Sequence, residues 1–283
     1  MGGQNWRYID IKIKMYISLP SDASSDLFPN NTISSFKVKL PNTINLDRKK
    51  SVLGLTQIQW PNSLRNVTHT RFKIFAENPV GDKTSRVQFC IRPGFYESPQ
   101  ELVREINEKI RQVFIEEAPN ILNGAQHCYL EFDELTEKVS FIRADDDTNL
   151  LMEFCVIMHW KMFCMLGFGL NKDSRKILRT GERAPYVVDL HAGLSQIYVY
   201  CNVIESSRIL GSMYAPLLRI IPINVKHGDI ANYEPRIVEY MPLRYDDISE
   251  ISIELRSDTG ELIEFQSGKT VVGLHIKTSA FGV

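Results

Sequence analysis

The sequence lacks any strong net charge. Its 33 lysines and arginines are balanced by 34 aspartates and glutamates, which gives a formal net charge of −1. Proteins that hold a phosphate backbone or an anionic membrane concentrate basic residues on one surface, because those residues displace counterions. The balanced composition gives no electrostatic ground for either partner, and we expect no direct nucleic-acid binding.

A long apolar run without charges is also missing. The most apolar window, residues 150–170, approaches the length of a membrane span but contains Glu153, His159 and Lys161. Each charge at the bilayer centre costs roughly 2.5–3.5 kcal/mol on insertion scales. We therefore predict a buried strand followed by a short helical turn, and no membrane span. The first ten residues contain no apolar signal-peptide core, so we expect folding in the cytoplasm or nucleus and no secretion.

The cysteines form no disulfide framework. Their number is odd, and no Cys-x-x-Cys pair occurs, which is typical of reduced thiols in an intracellular protein. Most of them stand in apolar runs, so we predict that they are buried. The five are Cys90, Cys128, Cys155, Cys164 and Cys201.

Two groups of residues resemble metal ligands but have simpler interpretations. Cys155, His159 and Cys164 have the residue types of a zinc site, yet their neighbours are those of an apolar core. The three consecutive aspartates at residues 145–147 cannot all point at one ion from an extended chain, and the spacing of a calcium-binding EF-hand is absent. We predict no metal site and no cofactor.

Short segments of alternating polarity dominate the rest of the chain. Ile251, Ile253 and Leu255 alternate with polar residues, as in a strand with one buried face. Within residues 247–277 the pattern predicts a run of antiparallel strands joined by tight turns. Many such strands separated by turn residues indicate a sandwich or barrel. The other predicted strands are residues 9–19, 36–40, 51–60, 71–75, 86–91, 128–132, 139–143, 186–190, 197–204, 217–225 and 237–241.

One amphipathic helix interrupts the strands at about residues 98–116. Ser98 is a favourable N-cap, Pro99 suits the first helical position, and Glu101 completes a capping box. An apolar stripe at helical spacing follows, and Pro119 ends the helix. The stripe predicts a helix packed on a sheet, with Leu102, Val103, Ile106, Ile110, Val113 and Phe114 facing it.

No repeat, low-complexity tract or linker divides the chain. We therefore predict one domain over residues 1–283. Within it we expect an N-terminal strand and arm at about residues 1–33, a polar loop at residues 171–185, and a helix-containing insertion at about residues 93–185.

The clearest catalytic candidate is Asp258, in the tripeptide Asp258-Thr259-Gly260. Retroviral-type aspartic proteases use this tripeptide in a dimer whose two carboxylates share a proton. Polar residues flank it here, with Arg256 and Ser257 before it and Glu261 after it, so a solvent-exposed turn is the better interpretation. No cysteine stands at an evident helix N-terminus, where the pKa of a thiol falls. We expect no catalytic residue, and hence no enzyme.

Several segments together resemble a known viral family. LPSDASSDLFPNNTISSFKVKLPNTINL, GFYESPQELVREIN, the triplet Leu166-Gly167-Phe168, VDLHAGLSQIYVYCNVIESSRILGSMYAPLLRIIP and RSDTGELIEFQSGKTVVGLHIK occur in that order. They are similar to the penton, or minor capsid, proteins of Polinton (Maverick) elements and the related adintoviruses. The resemblance covers about residues 15–277 and consists of framework and turn patterns.

The resemblance implies a fold and a role. Such proteins are expected to be single jelly rolls that form homopentamers at the five-fold vertices of an icosahedral virion. Their expected partner is a double-jelly-roll major capsid protein, which needs a much longer chain than this one. Loop 20–33 and helix 98–116 are the candidate contact segments.

Two other hypotheses stay open at this point. A jelly roll can also be a ligand- or receptor-binding module for a glycan or a protein, and a vertex protein could bind a host receptor as well. The three tryptophans, Trp6, Trp60 and Trp160, do not cluster in a loop with Asp and Asn as a glycan site would suggest. An aspartic protease-like enzyme that uses Asp258 is the remote alternative.

Overall fold

The computed structural model describes residues 14–77, 86–116, 128–144, 153–174, 176–191 and 194–278. The two helices in these ranges are α1 (Pro99–Glu116) and α2 (Trp160–Met165). The strands are β1 (Lys14–Pro20), β2 (Ser35–Asn45), β3 (Ser51–Pro61), β4 (Arg71–Glu77), β5 (Val87–Cys90), β6 (Cys128–Asp133), β7 (Lys138–Arg143), β8 (Glu153–Met158), β9 (Ile177–Arg179), β10 (Gln196–Cys201), β11 (Arg208–Leu210), β12 (Met213–Ala215), β13 (Leu217–Pro222), β14 (Ile230–Tyr233), β15 (Tyr240–Pro242), β16 (Asp247–Arg256) and β17 (Val271–Thr278).

The chain divides into two compact units. The first combines residues 1–64 with residues 193–283, and the second is residues 65–192. The predicted insertion at about residues 93–185 falls inside the second range. Neither described helix is long and apolar enough to cross a membrane.

The first unit is a sandwich of two antiparallel sheets. One sheet has the order β1-β17-β3-β14, with β15 also pairing with β3. The other has the order β13-β10-β16-β2. Inward-facing residues of both sheets belong to a single buried cluster, so one apolar core lies between them.

The strand pairing in this sandwich is that of a jelly roll. Apart from the three-residue β15, eight strands build the two sheets. The first of them pairs with the last, β1 with β17, and the second with the seventh, β2 with β16. The third pairs with the sixth, β3 with β14, and the two middle strands, β10 and β13, pair with each other. One long antiparallel ribbon folded over itself gives this pairing, which confirms the all-β single jelly roll.

The alternation read from the sequence decides which side chains form the core. Ile251, Ile253 and Leu255 of β16 are completely buried, and so are Leu274 and Ile276 of β17 in the facing sheet. Burying each such side chain contributes roughly 1.5–3 kcal/mol relative to leaving it in water. The polar residues between those of β16 are only partly buried, as expected for the outer face of a sheet.

The prediction that residues 247–277 form neighbouring strands was wrong in one respect. β16 and β17 lie in opposite sheets, so residues 257–270 cross from one sheet to the other. Leu262 bridges back to Arg256, and Phe265 forms a bridge with Leu64. Alternating polarity is the same for a strand in either sheet, so the pattern alone does not select the partner.

The second unit contains a four-stranded sheet of order β5-β4-β8-β9 and a hairpin of β6 and β7. The strands predicted at residues 71–75 and 86–91 pair with each other, and so do those predicted at residues 128–132 and 139–143. Residues 78–82, whose Pro79 and Gly81 predict a turn between the first two strands, lie outside the described residues. The predicted buried strand and helical turn within residues 150–170 are β8 and α2.

Helix α1 begins where its N-terminal capping residues predict, while Pro119, predicted to end it, lies outside the described residues. The Ser98 side-chain oxygen accepts a hydrogen bond from the Glu101 amide at 3.3 Å, which satisfies one of the donors left free at a helix start. The Glu101 carboxylate accepts from the amide of Glu97 at 3.2 Å, one residue earlier than in the standard capping box. All six residues of the predicted stripe are buried.

The remaining differences concern short or irregular segments. Residues 186–190, predicted as a strand, are irregular because their amides bond to separate segments: Tyr186 donates to Gly167 and Asp189 donates to Met165. The predicted loop 171–185 contains β9, and β11, β12 and β14 were not predicted. Three- or four-residue strands are too short to show alternation. The predicted strand 9–19 is described only from Lys14. The three aspartates at residues 145–147, for which a solvated turn is the simpler interpretation, lie outside the described residues.

Candidate assembly surfaces

The two sides of the jelly roll carry different structures. Loop 20–33 joins β1 to β2, and residues 223–229 join β13 to β14. β1 and β2 are edge strands of their sheets, and so are β13 and β14. One side of the sandwich is therefore formed by β1 and β2, and the opposite side by β13 and β14.

Loop 20–33 covers the free edge of β2. The Asn31 side chain accepts from the Lys37 amide and donates to the Lys37 carbonyl, both at 2.9 Å, as a neighbouring strand would. The Ser24 hydroxyl accepts from the amide of Lys39 at 3.1 Å. Ser24 has a positive φ of 59°, which turns the chain toward the strand. The loop is thereby fixed to the sandwich by its polar side chains.

The same loop presents an exposed apolar side chain next to a carboxylate. Leu27 is 64% exposed and follows Asp26 directly in the chain, while Asp22 lies five residues before it. Tyr16, on the neighbouring β1, is also exposed, but its ring stacks on His275 with 4.4 Å between ring centroids. Leu27 is thus the exposed apolar residue at the centre of this loop.

On the opposite side a hairpin of β11 and β12 departs from the sandwich. It is inserted between β10 and β13, and its strands are joined by the two-residue turn Gly211-Ser212. Gly211 has a φ of +61°, which is the conformation that the first central position of a type II′ hairpin turn requires. The glycine-serine turn between apolar residues is the sequence signal that could have predicted this hairpin.

One face of the hairpin is apolar and open to solvent. Ile209 and Tyr214 are opposite each other across the two strands and are 68% and 71% exposed. Met213 beside the turn is similarly exposed, and so are Ile230 and Ile237 nearer the sheet edge. Large apolar side chains exposed together mark an interaction surface more often than scattered ones do.

A cluster of charges fixes the base of the hairpin. The Glu239 carboxylate forms ion pairs with both Arg208 of β11 and Arg219 of β13. Arg219 also donates to the Tyr233 hydroxyl at 3.3 Å. The hydrogen bond from Arg208 holds the pKa of Glu239 below its usual range, and the charges of both arginines act in the same direction. Two guanidinium groups share one carboxylate, which leaves a positive charge uncompensated within this cluster.

The other predicted contact segment, helix 98–116, lies in the second unit and borders a shallow groove. The groove has a volume of about 430 Å³ and is bounded by α1 and β6. Asn107 crosses it: its side chain accepts from the Leu130 amide and donates to the Leu130 carbonyl, both at 2.7 Å. Asn107 therefore takes the place of a neighbouring strand on the edge of β6.

The catalytic candidate Asp258 is exposed in a tight turn. The Ser257 amide donates to the Glu261 carbonyl at 2.8 Å, and the Gly260 amide donates to the Ser257 carbonyl at 3.0 Å. Gly260 has a φ of +83°, which a residue with a side chain rarely adopts. The structure therefore supports the turn interpretation of this tripeptide.

The residues considered for zinc have other contacts. Cys155 is completely buried, and the His159 ring nitrogen Nδ1 caps α2 by accepting from the Lys161 amide at 3.3 Å. Cys164 donates to the Asn171 carbonyl at 3.4 Å. Among the described residues no group of three or more His, Cys, Asp or Glu could hold a metal ion.

The prediction that the cysteines are buried holds for three of them and was wrong for two. Cys128, Cys155 and Cys201 are buried, whereas Cys90 is exposed and Cys164 is half-buried. Cys90 ends the short strand β5, where successive side chains point to opposite faces of the sheet and its own points outward.

Comparison with known proteins found similarity among solved structures. No protein-family model matches the sequence, and no curated protein matches it either. Among solved structures, the chain is similar to the crystal structure of the selenomethionine-labelled mavirus penton protein. That likeness covers 94% of this chain and 100% of the mavirus chain, with a TM-score of 0.48 and 9% sequence identity.

Proposed function

We propose that this protein is a penton-type minor capsid protein that forms homopentamers at the five-fold vertices of an icosahedral virion. It would act there as a structural component, without a cofactor, beside a double-jelly-roll major capsid protein. The described residues hold one jelly roll, in the first unit.

One observation carries the proposal. The resemblance to Polinton and adintovirus penton proteins, over about residues 15–277, spans the strands of a single jelly roll: β1 and β2 with their loop, β10 to β13, and β16 and β17. These are distant in sequence, yet the fold brings them together, since β1 pairs with β17 and β2 pairs with β16. A resemblance that follows one tertiary framework is stronger than the same number of matches scattered over unrelated elements.

The exposed surfaces of the jelly roll suit an assembly role. A closed ring of five copies needs two different complementary patches on each copy, because each contact is head to tail. Loop 20–33 and the β11–β12 hairpin are two such patches on opposite sides of one sandwich. Fold alone does not determine function, so the proposal depends on the resemblance together with these surfaces.

The mass of the purified protein in solution tests the proposal. Light scattering coupled to size exclusion should give a species of about five times the 32.5 kDa chain. The same preparation, mixed with a double-jelly-roll capsid protein, should then occupy the vertices of assembled particles seen by electron microscopy.

The other outcomes separate the competing functions. A trimer would contradict a vertex position and favour a receptor- or glycan-binding module, which binding to a glycan array would then support. A monomer that also fails to enter particles would refute the capsid role.

A further inference from the structure

We infer that copies of this chain join head to tail, with the β11–β12 hairpin of one copy packed against loop 20–33 of the next. This inference rests on the proposed function, since it names the surfaces that would close the ring. The occupant of the hairpin surface is thus a second copy of the same chain.

The first argument is the position of the two patches. The hairpin is inserted between β10 and β13 and leaves the sandwich on the side of β13 and β14, while loop 20–33 lies on the side of β1 and β2. Segments at opposite sides of one protomer can each contact a different neighbour. Repeating such a contact generates a ring or a filament, whereas a two-fold dimer would bury the same patch on both copies.

The second argument is the hairpin's own stability. An isolated two-stranded ribbon is at best marginally stable in water. Within the described residues the base of this ribbon is fixed by the Arg208–Glu239 ion pair and by the bond from the Glu205 amide to the Pro242 carbonyl at 3.0 Å. Its outer face, Ile209 and Tyr214, remains exposed. A neighbouring copy that covers this face would stabilise the ribbon and bury its apolar area.

The third argument is the complementarity of the two patches. Residues 20–33 contain two aspartates and no lysine or arginine. Asp22 pairs with Lys269 at 3.6 Å, whereas Asp26 has no ion pair among the described residues. At the hairpin base, Glu239 is shared by Arg208 and Arg219. The charged side chains of the loop patch are therefore all negative, while the base of the hairpin carries two guanidinium groups for one carboxylate. Arg208 lies on the face of the ribbon opposite Ile209 and Tyr214.

The composition of the hairpin patch agrees with a binding role. Tyrosine and arginine are among the residues that most often dominate the binding energy of protein interfaces. An apolar centre with charged residues around it is also the usual arrangement of such a surface. Tyr214 would therefore be the residue most sensitive to substitution, and Leu27 its counterpart on the next copy.

Three aspartate substitutions test the two surfaces. Tyr214→Asp on the hairpin and Leu27→Asp on the loop should each weaken self-association at least tenfold, measured by analytical ultracentrifugation over a range of concentrations. Leu135→Asp is the matched control, because Leu135 is 92% exposed in the β6–β7 turn of the second unit. It should assemble like the unmodified chain.

Mixing the two defective variants tests the head-to-tail geometry. The Tyr214→Asp copy keeps an intact loop surface, and the Leu27→Asp copy keeps an intact hairpin surface. In a 1:1 mixture one hairpin can bind one loop, so a two-chain complex should form and grow no further. A two-fold contact that buries the same patch on both copies would not be restored in this way.

The controls distinguish a loss of assembly from misfolding. They also distinguish a failure of the proposed surfaces from a failure of the proposed vertex role. Circular dichroism and the melting temperature show whether each variant folds, and Tyr214→Phe should retain assembly because it keeps the ring. Pentamers that persist in both aspartate variants, or a mixture with no two-chain complex, would refute these surfaces and leave the vertex role standing. An unmodified chain that never self-associates, alone or within particles, would refute both.

Discussion

At the scale of single residues, asparagine side chains complete the edges of strands. Asn31 bonds to both backbone groups of Lys37 on β2, and Asn107 does the same for Leu130 on β6. An amide side chain offers one donor and one acceptor, the same pair that a backbone residue offers. Each asparagine therefore bonds to the backbone amide and carbonyl of one edge residue, which would otherwise bond to water or to another chain.

The Asp258-Thr259-Gly260 turn gives a prediction at this scale. Gly260→Ala should cost about 1–2 kcal/mol, because alanine is strained at positive φ. Asp258→Asn should change the stability by less than about 0.5 kcal/mol, as is usual for an exposed surface position. Urea unfolding of both variants measures these values. Loss of a measurable proteolytic activity in Asp258→Asn, with its stability intact, would instead support the enzyme hypothesis.

The cysteines give a second residue-scale prediction. Burial raises the pKa of the Cys201 thiol to about 12 and also raises that of Cys128, so neither forms the reactive thiolate near neutral pH. A thiol reagent at pH 8 should label Cys90 rapidly and Cys164 slowly. The three buried cysteines should react only after denaturation. Mass spectrometry of the labelled peptides measures this order, and Cys90→Ser should abolish the rapid phase.

At the scale of elements, the least predictable parts of the structure are its shortest strands. The start and the apolar face of helix α1 were predicted correctly, because a capping residue and a six-residue apolar stripe are local signals in the sequence. The β11–β12 hairpin has only three residues in each strand, and an alternation of polarity over three residues often occurs by chance. Its position is set by the Arg208–Glu239 ion pair, which spans 31 residues of sequence.

The contact of α1 with β6 gives a prediction at the scale of elements. Asn107→Ala should destabilise the protein by about 1–3 kcal/mol, because it leaves the amide and carbonyl of Leu130 without their partner. Arg104→Ala is the control, since Arg104 borders the same groove and is exposed. Denaturant unfolding compares the two. Equal losses of stability in the two variants would mean that the hydrogen bonds from Asn107 to Leu130 do not stabilise the protein.

The hairpin base predicts a dependence on pH. The Glu239 pKa is lowered in the folded protein, so its contribution is complete above the unfolded value of about 4.3 and is lost as the pH falls through the folded pKa. The melting temperature of Glu239→Gln should therefore lie below that of the unmodified protein at pH 7. The difference between the two melting temperatures, the gap, should narrow below about pH 4. Glu264→Gln is the control, at an exposed glutamate, and should show no such gap. A gap for Glu239→Gln that is constant with pH would contradict the ion-pair interpretation.

At the scale of the whole molecule, the sequence predicted the strands better than their partners. Ile251, Ile253 and Leu255 were assigned to a buried face correctly, since period-two alternation is a local property. The placement of β16 and β17 in opposite sheets depends on strands that are distant in the sequence. β16 pairs with β2, whereas β17 pairs with β1 and β3. Of the two surfaces that we propose for assembly, loop 20–33 was named as a candidate from the sequence, together with helix 98–116, and the hairpin was not.

The single-domain organisation over residues 1–283 stays a prediction. No stretch of linker composition occurs near residues 64 or 193, where the two compact units meet along the chain. We therefore expect differential scanning calorimetry to give one cooperative transition whose calorimetric and van't Hoff enthalpies agree. Two resolved transitions would instead identify the units as separate domains, and a fragment of residues 65–192 should then melt at one of the two temperatures.

The pairing of β1 with β17 also determines when the protein can fold during synthesis. About 250 residues separate the two strands, so at roughly 5–20 residues per second β1 leaves the ribosome some 10–50 seconds before its partner exists. Residues 65–192 are contiguous and can fold in that interval. The clamp of Asn31 on Lys37 spans only six residues, so it can close at once and shield the outer edge of β2, the edge that β16 does not occupy, from wrong partners. A side chain that fixes a surface loop in the finished protein thus also protects the nascent chain.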